Sequence, residues 1–505
     1  MRQFDAVVIG TGPAGQRAAI QAAKLGKRVA AIEKERVVGG AAINTGTIPS
    51  KALREAVLHL TGASKRGLFG QTFGVQKKVT LSDLIGVSQQ VMMHEREVAR
   101  SHLLRNGVEL IEGFARFDDS HQVTVENTEQ TERIKADFFF IATGTKPAMP
   151  ESVPFEANRV FTSDGLLHLD RLPKSMIVVG GGVIGTEYAC MMATLGVKVT
   201  LVEGRRQVLG FVDEEITEAM QYHMRQNGIT MRLGEKVKEI SMIDPDKMKS
   251  DAAKKSAKVA NEEFKAHAND IGQPVVPGDT NGDGIPDMPL VEAKLESGKK
   301  LRAQSLLYAI GRQGTVTAMN VKKAGLEASD RERLKVNEHF QTDVPHIYAM
   351  GDVIGFPALA STSMEQGRLA ACHAFNVEAH SIPELFPFGI YAIPEISMVG
   401  KTEEQLTEAG IPYEAGIANY KEIARGQLLG DEQGMLKLLI HQDDRSILGV
   451  HAIGTGATEL IHIGQTAMAL GGKVDFFVNN VFNYPTLAET YKVAALNGMN
   501  KLRLI

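Results

Sequence analysis

The sequence predicts an α/β chain with two Rossmann-like dinucleotide-binding domains followed by a C-terminal α+β domain. Two short apolar strand runs each lead directly into a G-x-G-x-x-G loop and then a helical stretch. In both cases the next strand ends in a glutamate, which gives a glycine loop its nucleotide-binding context. Beyond residue 385, strands and helices continue to alternate without a third such loop. A chain of 505 residues with 43% hydrophobic side chains has the length for three or four folded domains.

The first unit begins at FDAVVI, residues 4–9, and turns through GTGPAG into AAIQAAKLG. Gly10, Gly12 and Gly15 sit where the strand gives way to the helix. There glycine admits a pyrophosphate to the backbone, and the helix N-terminus stabilises its charge. RVAAIE follows and ends in Glu33, placed to accept hydrogen bonds from a ribose hydroxyl. The stretch GGAAINTGTIPSK, residues 39–51, then supplies a glycine turn at Gly39 and Gly40. Its Pro49 falls in the first turn of a helix, where the missing N–H costs nothing, and Lys51 comes shortly after. Helical spacing runs from Thr47 to about Ala63 and again over 81–105. The runs ELIEGFARF, QVTVEN and ADFFFIATG read as strands, the last closing on Ala142, Thr143 and Gly144. A proline-rich link, KPAMPESVPF, leads out of this unit.

The second fingerprint is Gly180, Gly182 and Gly185, with Glu203 ending the next strand and Glu187 on the first turn of the intervening helix. Glu203 suits the ribose diol of NAD and repels the 2'-phosphate of NADP. Gly204, Arg205 and Arg206 follow at once, and either guanidinium swung toward a phosphate would accept NADP(H) instead. Surface arginines that meet only solvent are the plainer alternative.

Residues 244–290 interrupt this second unit with an Ala/Lys-rich helical segment and the loop VVPGDTNGDGIPD. Asp279, Asn281, Asp283 and Asp287 match the opening of a calcium loop, although Leu290 stands where an EF-hand has its bidentate glutamate. A solvated turn-rich loop is the competing reading. LLYAIGRQG, with Gly311, closes the unit near residue 313, and TDVPHIYAMGDVIG then brings a strand onto Gly351 and Asp352. In ALASTSMEQGRLAA, Thr362 and Glu365 have the spacing of a capping box.

Taken together, these motifs resemble the flavin-dependent disulfide reductases over nearly the whole chain outside 244–290. That family carries GGxCxxxxCxPSK where this chain has GGAAINTGTIPSK, so Ala42 and Thr47 occupy the two redox-cysteine positions. A thiolate attacks a disulfide, and neither side chain can replace it. The family's HPTxxE is likewise NYPTLAET here, with Tyr484 for the acid/base histidine and Glu489 retained. The resemblance implies FAD in the first unit, met by Gly40, Thr47, Lys51, the Ala142-Thr143-Gly144 turn, Gly351 and Asp352, whose carboxylate would bond the ribityl chain. It also implies that Glu187 pairs with Lys51 beside flavin N5, and that the helix near Thr362 points at the flavin pyrimidine.

Within the family, GTIPSKALR, FNYPTLAE and YKVAALNGMNKL resemble the soluble pyridine nucleotide transhydrogenases. The implied activity is hydride transfer between NADPH and NAD through FAD. An NAD(P)H:quinone or dye reductase and a non-catalytic nucleotide-sensing flavoprotein remain alternatives. The implied organisation is 1–150 and 314–384 for FAD, 151–313 for NAD(P) with the insertion, and 385–505 for homodimerisation.

A net charge of -4 gives no basic footprint for nucleic acid. No apolar run approaches membrane-spanning length, so no membrane is expected. Two cysteines, Cys190 and Cys372, both within apolar helical stretches, read as buried structural thiols rather than a disulfide framework. MRQFDAVVIG enters a strand without a leader's apolar core and cleavage site, so a cytoplasmic location is expected.

Overall fold

The computed structural model describes residues 1–62, 81–243, 290–381 and 385–502. It divides into two units, one of residues 1–148, 209–224 and 310–505 and the other of 149–208 and 225–309.

The first unit is built on a seven-stranded sheet. Arg2–Ile9 lies parallel between Val29–Glu33 and Thr131–Ile141, with Glu109–Glu112 beyond the former. Gln122–Glu126 and Phe114–Asp119 extend the other side antiparallel, and Ile347–Ala349 pairs parallel with the end of Thr131–Ile141. The strand Arg2–Ile9 is buried at Val7 and Ile9 on one face and at Ala6 and Val8 on the other. Such two-sided apolar burial is what a central parallel strand requires. The helices Pro13–Lys24 and Ala360–Ala374 pack on the Val8 side. Their approach depends on Gly367: a Cβ there would lie 2.1 Å from the Ala14 carbonyl oxygen.

The same unit contains a five-stranded antiparallel sheet in the order Phe388–Ile390, Ile396–Gly400, Ile447–Ile453, Met435–His441, Tyr413–Asn419. Helix Glu489–Leu502 packs closely on its last strand, where a Cβ at Gly416 would meet the Ala494 carbonyl oxygen at 2.1 Å. Tyr491 of that helix is buried and donates its hydroxyl to the Leu460 carbonyl at 2.8 Å.

In the second unit five parallel strands run in the order Thr230–Leu233, Lys198–Glu203, Ser175–Val179, Ser305–Tyr308, Val160–Phe161. A three-stranded antiparallel sheet, Val237–Ile243, Leu290–Leu295 and Lys300–Ala303, accompanies it. The fold class read from the sequence is therefore the observed one, with parallel nucleotide-fold sheets and an α+β C-terminal part. The proposed calcium ligands Asp279, Asn281, Asp283 and Asp287 lie outside the described residues. Among the described residues no group of three or more His, Cys, Asp or Glu side chains is arranged to hold a metal.

One local expectation fails. Helix Ala360–Ala374 begins two residues before Thr362, so the Thr362 hydroxyl lies inside the first turn and donates back to the carbonyls of Pro357 and Leu359, each at 3.0 Å. A threonine already within a helix bonds carbonyls behind it rather than N–H groups ahead. Glu365 turns instead to Arg368.

Candidate active site

The loop after Arg2–Ile9 is shaped first by its backbone. Gly10 adopts φ +103°, and a Cβ there would sit 2.5 Å from the Ala142 carbonyl oxygen. Gly12 caps helix Pro13–Lys24 in extended conformation, and a Cβ on Gly15 would fall 1.9 Å from the Gly10 carbonyl oxygen. Glu33 accepts from the Thr11 N–H at 3.0 Å and from the Thr11 hydroxyl at 2.6 Å, tying the strand end to the loop. The Gly39 N–H donates to the Thr11 carbonyl at 3.2 Å and draws in the second glycine turn. Gly39 and Gly40 both have positive φ, and a Cβ on Gly40 would approach the Gly12 Cα to 2.8 Å.

Four sequence-predicted segments thus converge on one cradle. Thr143 enters it with a buried hydroxyl oxygen that has no hydrogen-bond partner within the protein. Gly351, at φ +78°, lies against Ala14 and donates its N–H to Gln366 at 2.8 Å. Asp352 accepts from the Thr145 hydroxyl at 3.1 Å, and Arg312 donates to that hydroxyl at 2.8 Å and to the Thr145 carbonyl at 2.7 Å. Gly311 precedes this arginine at φ +80°, where Arg312–Gly314 turns in to pair with Thr145–Pro147.

Ala42 lies in the short helix Gly40–Asn44, and Thr47 opens helix Thr47–Thr61, in which Lys51 occupies the second turn. The short helix is held by Asn44, which donates to the carbonyls of Val38 and Gly40 and accepts from Arg96 Nε at 2.6 Å. Sequence reasoning missed Arg96, since one arginine in a long polar helix carries no local mark.

In the second unit the geometry repeats. Gly180 has φ +108°, Gly182 caps helix Val183–Thr194, and a Cβ on Gly185 would lie 1.9 Å from the Gly180 carbonyl oxygen. Glu203 accepts from the Gly181 N–H at 2.6 Å. Its other partners come from Arg205, whose N–H and Nε approach at 2.9 Å and Nη2 at 3.2 Å. Burial alone would raise the Glu203 pKa, but the bonds from Arg205 and Gly181 hold it below the usual carboxylate range. Arg205 therefore rests on the strand-end carboxylate rather than swinging outward, while Arg206 is exposed. Glu187 is buried within its helix at 3% exposure.

Each of the two units thus carries a backbone cradle closed by a strand-end glutamate. The family model described as pyridine nucleotide-disulphide oxidoreductase matches residues 4–367, and that of the family's dimerisation domain matches 386–495. The chain belongs to this family.

Its sequence is 48% identical to a soluble pyridine nucleotide transhydrogenase of Mycobacterium bovis BCG, covering 100% of this chain and 99% of the relative. It is 41% identical to the protein of the same name from Chromohalobacter salexigens, covering 99% of each. Among solved structures it is similar to the HOCl-induced flavoprotein disulfide reductase RclA of Escherichia coli in its Cu(II) complex. There the TM-score is 0.81 at 25% identity, over 98% of this chain and 100% of that one.

The family implies FAD and NAD(P)H, and the first cradle fits a dinucleotide: side chains at Gly10, Gly15 or Gly40 would collide with the cradle's own backbone, and Thr143 holds an orphaned hydroxyl beside it. What departs from the family's disulfide-reducing members is the thiol equipment. Positions 42 and 47 are alanine and threonine, and both cysteines, Cys190 and Cys372, are buried in helices elsewhere. Tyr484 is 68% exposed on the C-terminal domain, where Glu489 opens the last described helix. No described helix is long and apolar enough to cross a membrane.

Proposed function

We propose that this protein transfers hydride between NADPH and NAD by way of FAD held in the first cradle. The observation that carries the reading is the pair of complete cradles in a chain with no thiol at either redox-cysteine position. FAD supplies the two-electron chemistry that these side chains lack. The protein's share is to fix the partners in reacting geometry, which is where most of such an acceleration originates. Glu33 and Asp352 orient the first dinucleotide, and Glu203 with Arg205 and Arg206 receives the second. Lys51 and Glu187 are assigned the electrostatic tuning of the reacting face. We place the protein in the cytoplasm as a homodimer formed through its C-terminal domain, whose Leu470 and Val481 are exposed.

The deciding experiment is anaerobic: NADPH bleaches the flavin absorbance, and NAD added afterwards restores it. Restoration by a quinone but not by NAD would favour a quinone reductase, and no bleaching by either nucleotide would favour a nucleotide sensor. In the same assay Lys51→Ala and Glu187→Ala are expected to slow bleaching at least about tenfold, about 1.4 kcal/mol, with smaller changes in nucleotide affinity. Unchanged rates in both variants would return the two charges to a structural role.

Arg205 and Arg206 set nucleotide choice in this reading. With Arg205 on Glu203, the carboxylate is engaged and its repulsion of a 2'-phosphate is reduced. Replacing both arginines with alanine is expected to raise the NADPH dissociation constant at least about tenfold, about 1.4 kcal/mol, and to leave NADH binding nearly unchanged. Calorimetry showing equal losses for both nucleotides would contradict this assignment.

A further inference from the structure

Helix Thr47–Thr61 presents two cations to one aromatic ring. Lys51 Nζ lies 4.9 Å from the centroid of Tyr391, and Arg54 Cζ lies 5.9 Å from the same centroid. Residues three apart share a helix face, which is why one ring can meet both. Tyr391 lies 340 positions along the chain from Lys51, in the segment that leads into strand Ile396–Gly400.

That segment is fastened to the helix independently of the ring. Arg54 is 7% exposed and donates its Nε to the Ala392 carbonyl at 3.0 Å. Its Nη2 lies 3.6 Å from Glu395, also buried, which in turn accepts from the Thr458 hydroxyl at 3.3 Å. The Gly454 N–H donates to the Glu395 carbonyl at 2.9 Å. Arg54 and Glu395 therefore anchor the segment that carries the Tyr391 ring, and the ring face meets the Lys51 ammonium. A lysine needs such help, because its charge ends a flexible four-carbon stem and is readily displaced. A ring face attracts it through the quadrupole.

We propose that Tyr391 is a positioning residue for Lys51, helping to hold its ammonium at the reacting face of the flavin. This rests on the role assigned to Lys51 above. A cation held near the flavin favours the more negative, reduced form and so raises its midpoint potential. Letting the ammonium wander lowers the potential and slows hydride uptake together.

The test uses the full-length protein with FAD bound, comparing Lys51→Ala, Tyr391→Leu, Tyr391→Phe and the Lys51→Ala/Tyr391→Leu pair. Midpoint potential and anaerobic bleaching rate by NADPH are measured for each, with FAD content and thermal midpoint as checks of folding. Tyr391→Leu is expected to slow bleaching about fivefold and to shift the potential in the same direction as Lys51→Ala. Tyr391→Phe, which keeps the ring face, stays within about twofold of the parent protein. In the Lys51→Ala background, Tyr391→Leu adds nothing to either quantity.

If Lys51→Ala alters both quantities while Tyr391→Leu alters neither, or if the two losses simply add, the positioning role is overturned and Lys51 keeps its own. A Phe variant as impaired as Leu overturns it too, since the hydroxyl and not the ring face would then matter. If Lys51→Ala alters neither quantity, the Lys51 assignment itself fails. Should Tyr391→Leu not retain FAD, Tyr391→Met is read in its place by the same criteria.

Discussion

Gly15→Ala is expected to strip the protein of FAD, whereas Gly185→Ala leaves it yellow but poorly reduced by either nucleotide. The two positions are geometric equivalents: in each, a Cβ would lie 1.9 Å from the carbonyl oxygen of the first glycine in its loop. Backbone lies on both sides of that overlap, so no flexible side chain can yield. The added methyl must open the turn between strand and helix, and overpacking of this kind costs roughly 3 kcal/mol, equivalent to about a hundredfold in affinity. The helix N-terminus that should face the pyrophosphate is moved at the same time.

Because Gly15 belongs to one unit and Gly185 to the other, the losses should separate cleanly. FAD content after gel filtration reads the first, and calorimetric titration with NAD and NADP reads the second. Full FAD content in Gly15→Ala, or loss of FAD in Gly185→Ala, would mean the two cradles have been assigned to the wrong nucleotides.

These glycines were legible in the sequence because their constraint is local: the turn after each strand needs positive φ at Gly10 and Gly180, and the backbone a few residues on leaves no room for a side chain at Gly15 and Gly185. Glu33 and Glu203 were legible for the same reason, since strand ends are marked by the apolar runs before them. The sequence offered Arg205 a phosphate or solvent and did not point to Glu203. An arginine two residues beyond a carboxylate has two competing partners, and only the fold shows that Glu203 accepts from it. The anchoring of the Lys51 helix was not legible at all. Arg54 and the Ala392 carbonyl it bonds are 338 residues apart, and nothing in ALREAV or YAIPE points from one to the other. Thr362 failed differently: the residue types of a cap were present, but the helix starts two residues early and turns the hydroxyl inward.

Lys437→Ala is expected to be the most destabilising single change outside the cradles. Lys437 is 1% exposed, and its ammonium lies 2.8 Å from Asp213, 2.9 Å from Glu215 and 2.5 Å from Glu403. Asp213 is fully buried and also accepts from the Glu403 N–H at 3.2 Å. Removing the cation strands the buried carboxylate, at a cost of about 3–5 kcal/mol. Asp213→Asn combined with Lys437→Met should lose much less than Lys437→Ala, because the fully buried charge is gone and Glu215 and Glu403 keep access to solvent.

His451 gives the same cluster a pH dependence. It is fully buried, and its Nε2 faces the Lys401 carbonyl at 2.9 Å, which assigns the proton to that nitrogen. Burial lowers its pKa, although Asp213 and the Lys401 carbonyl oppose that shift. Below about pH 6.5 the unfolded chain therefore takes up a proton that the folded protein refuses. The stability His451 contributes is complete above that pH and is lost as pH falls toward its folded value, by up to about 1.4 kcal/mol per pH unit. Asp213 behaves alike at lower pH: burial raises its pKa, but His451 and Lys437 together hold it below the usual range, so its contribution disappears only below about pH 4. Urea denaturation followed by circular dichroism between pH 7 and pH 5 should thus show a slope that His451→Gln reduces. An undiminished slope in that variant would assign the acid sensitivity to other groups, and a Lys437→Ala midpoint equal to the parent's would show that Asp213 finds another partner when the cation is gone.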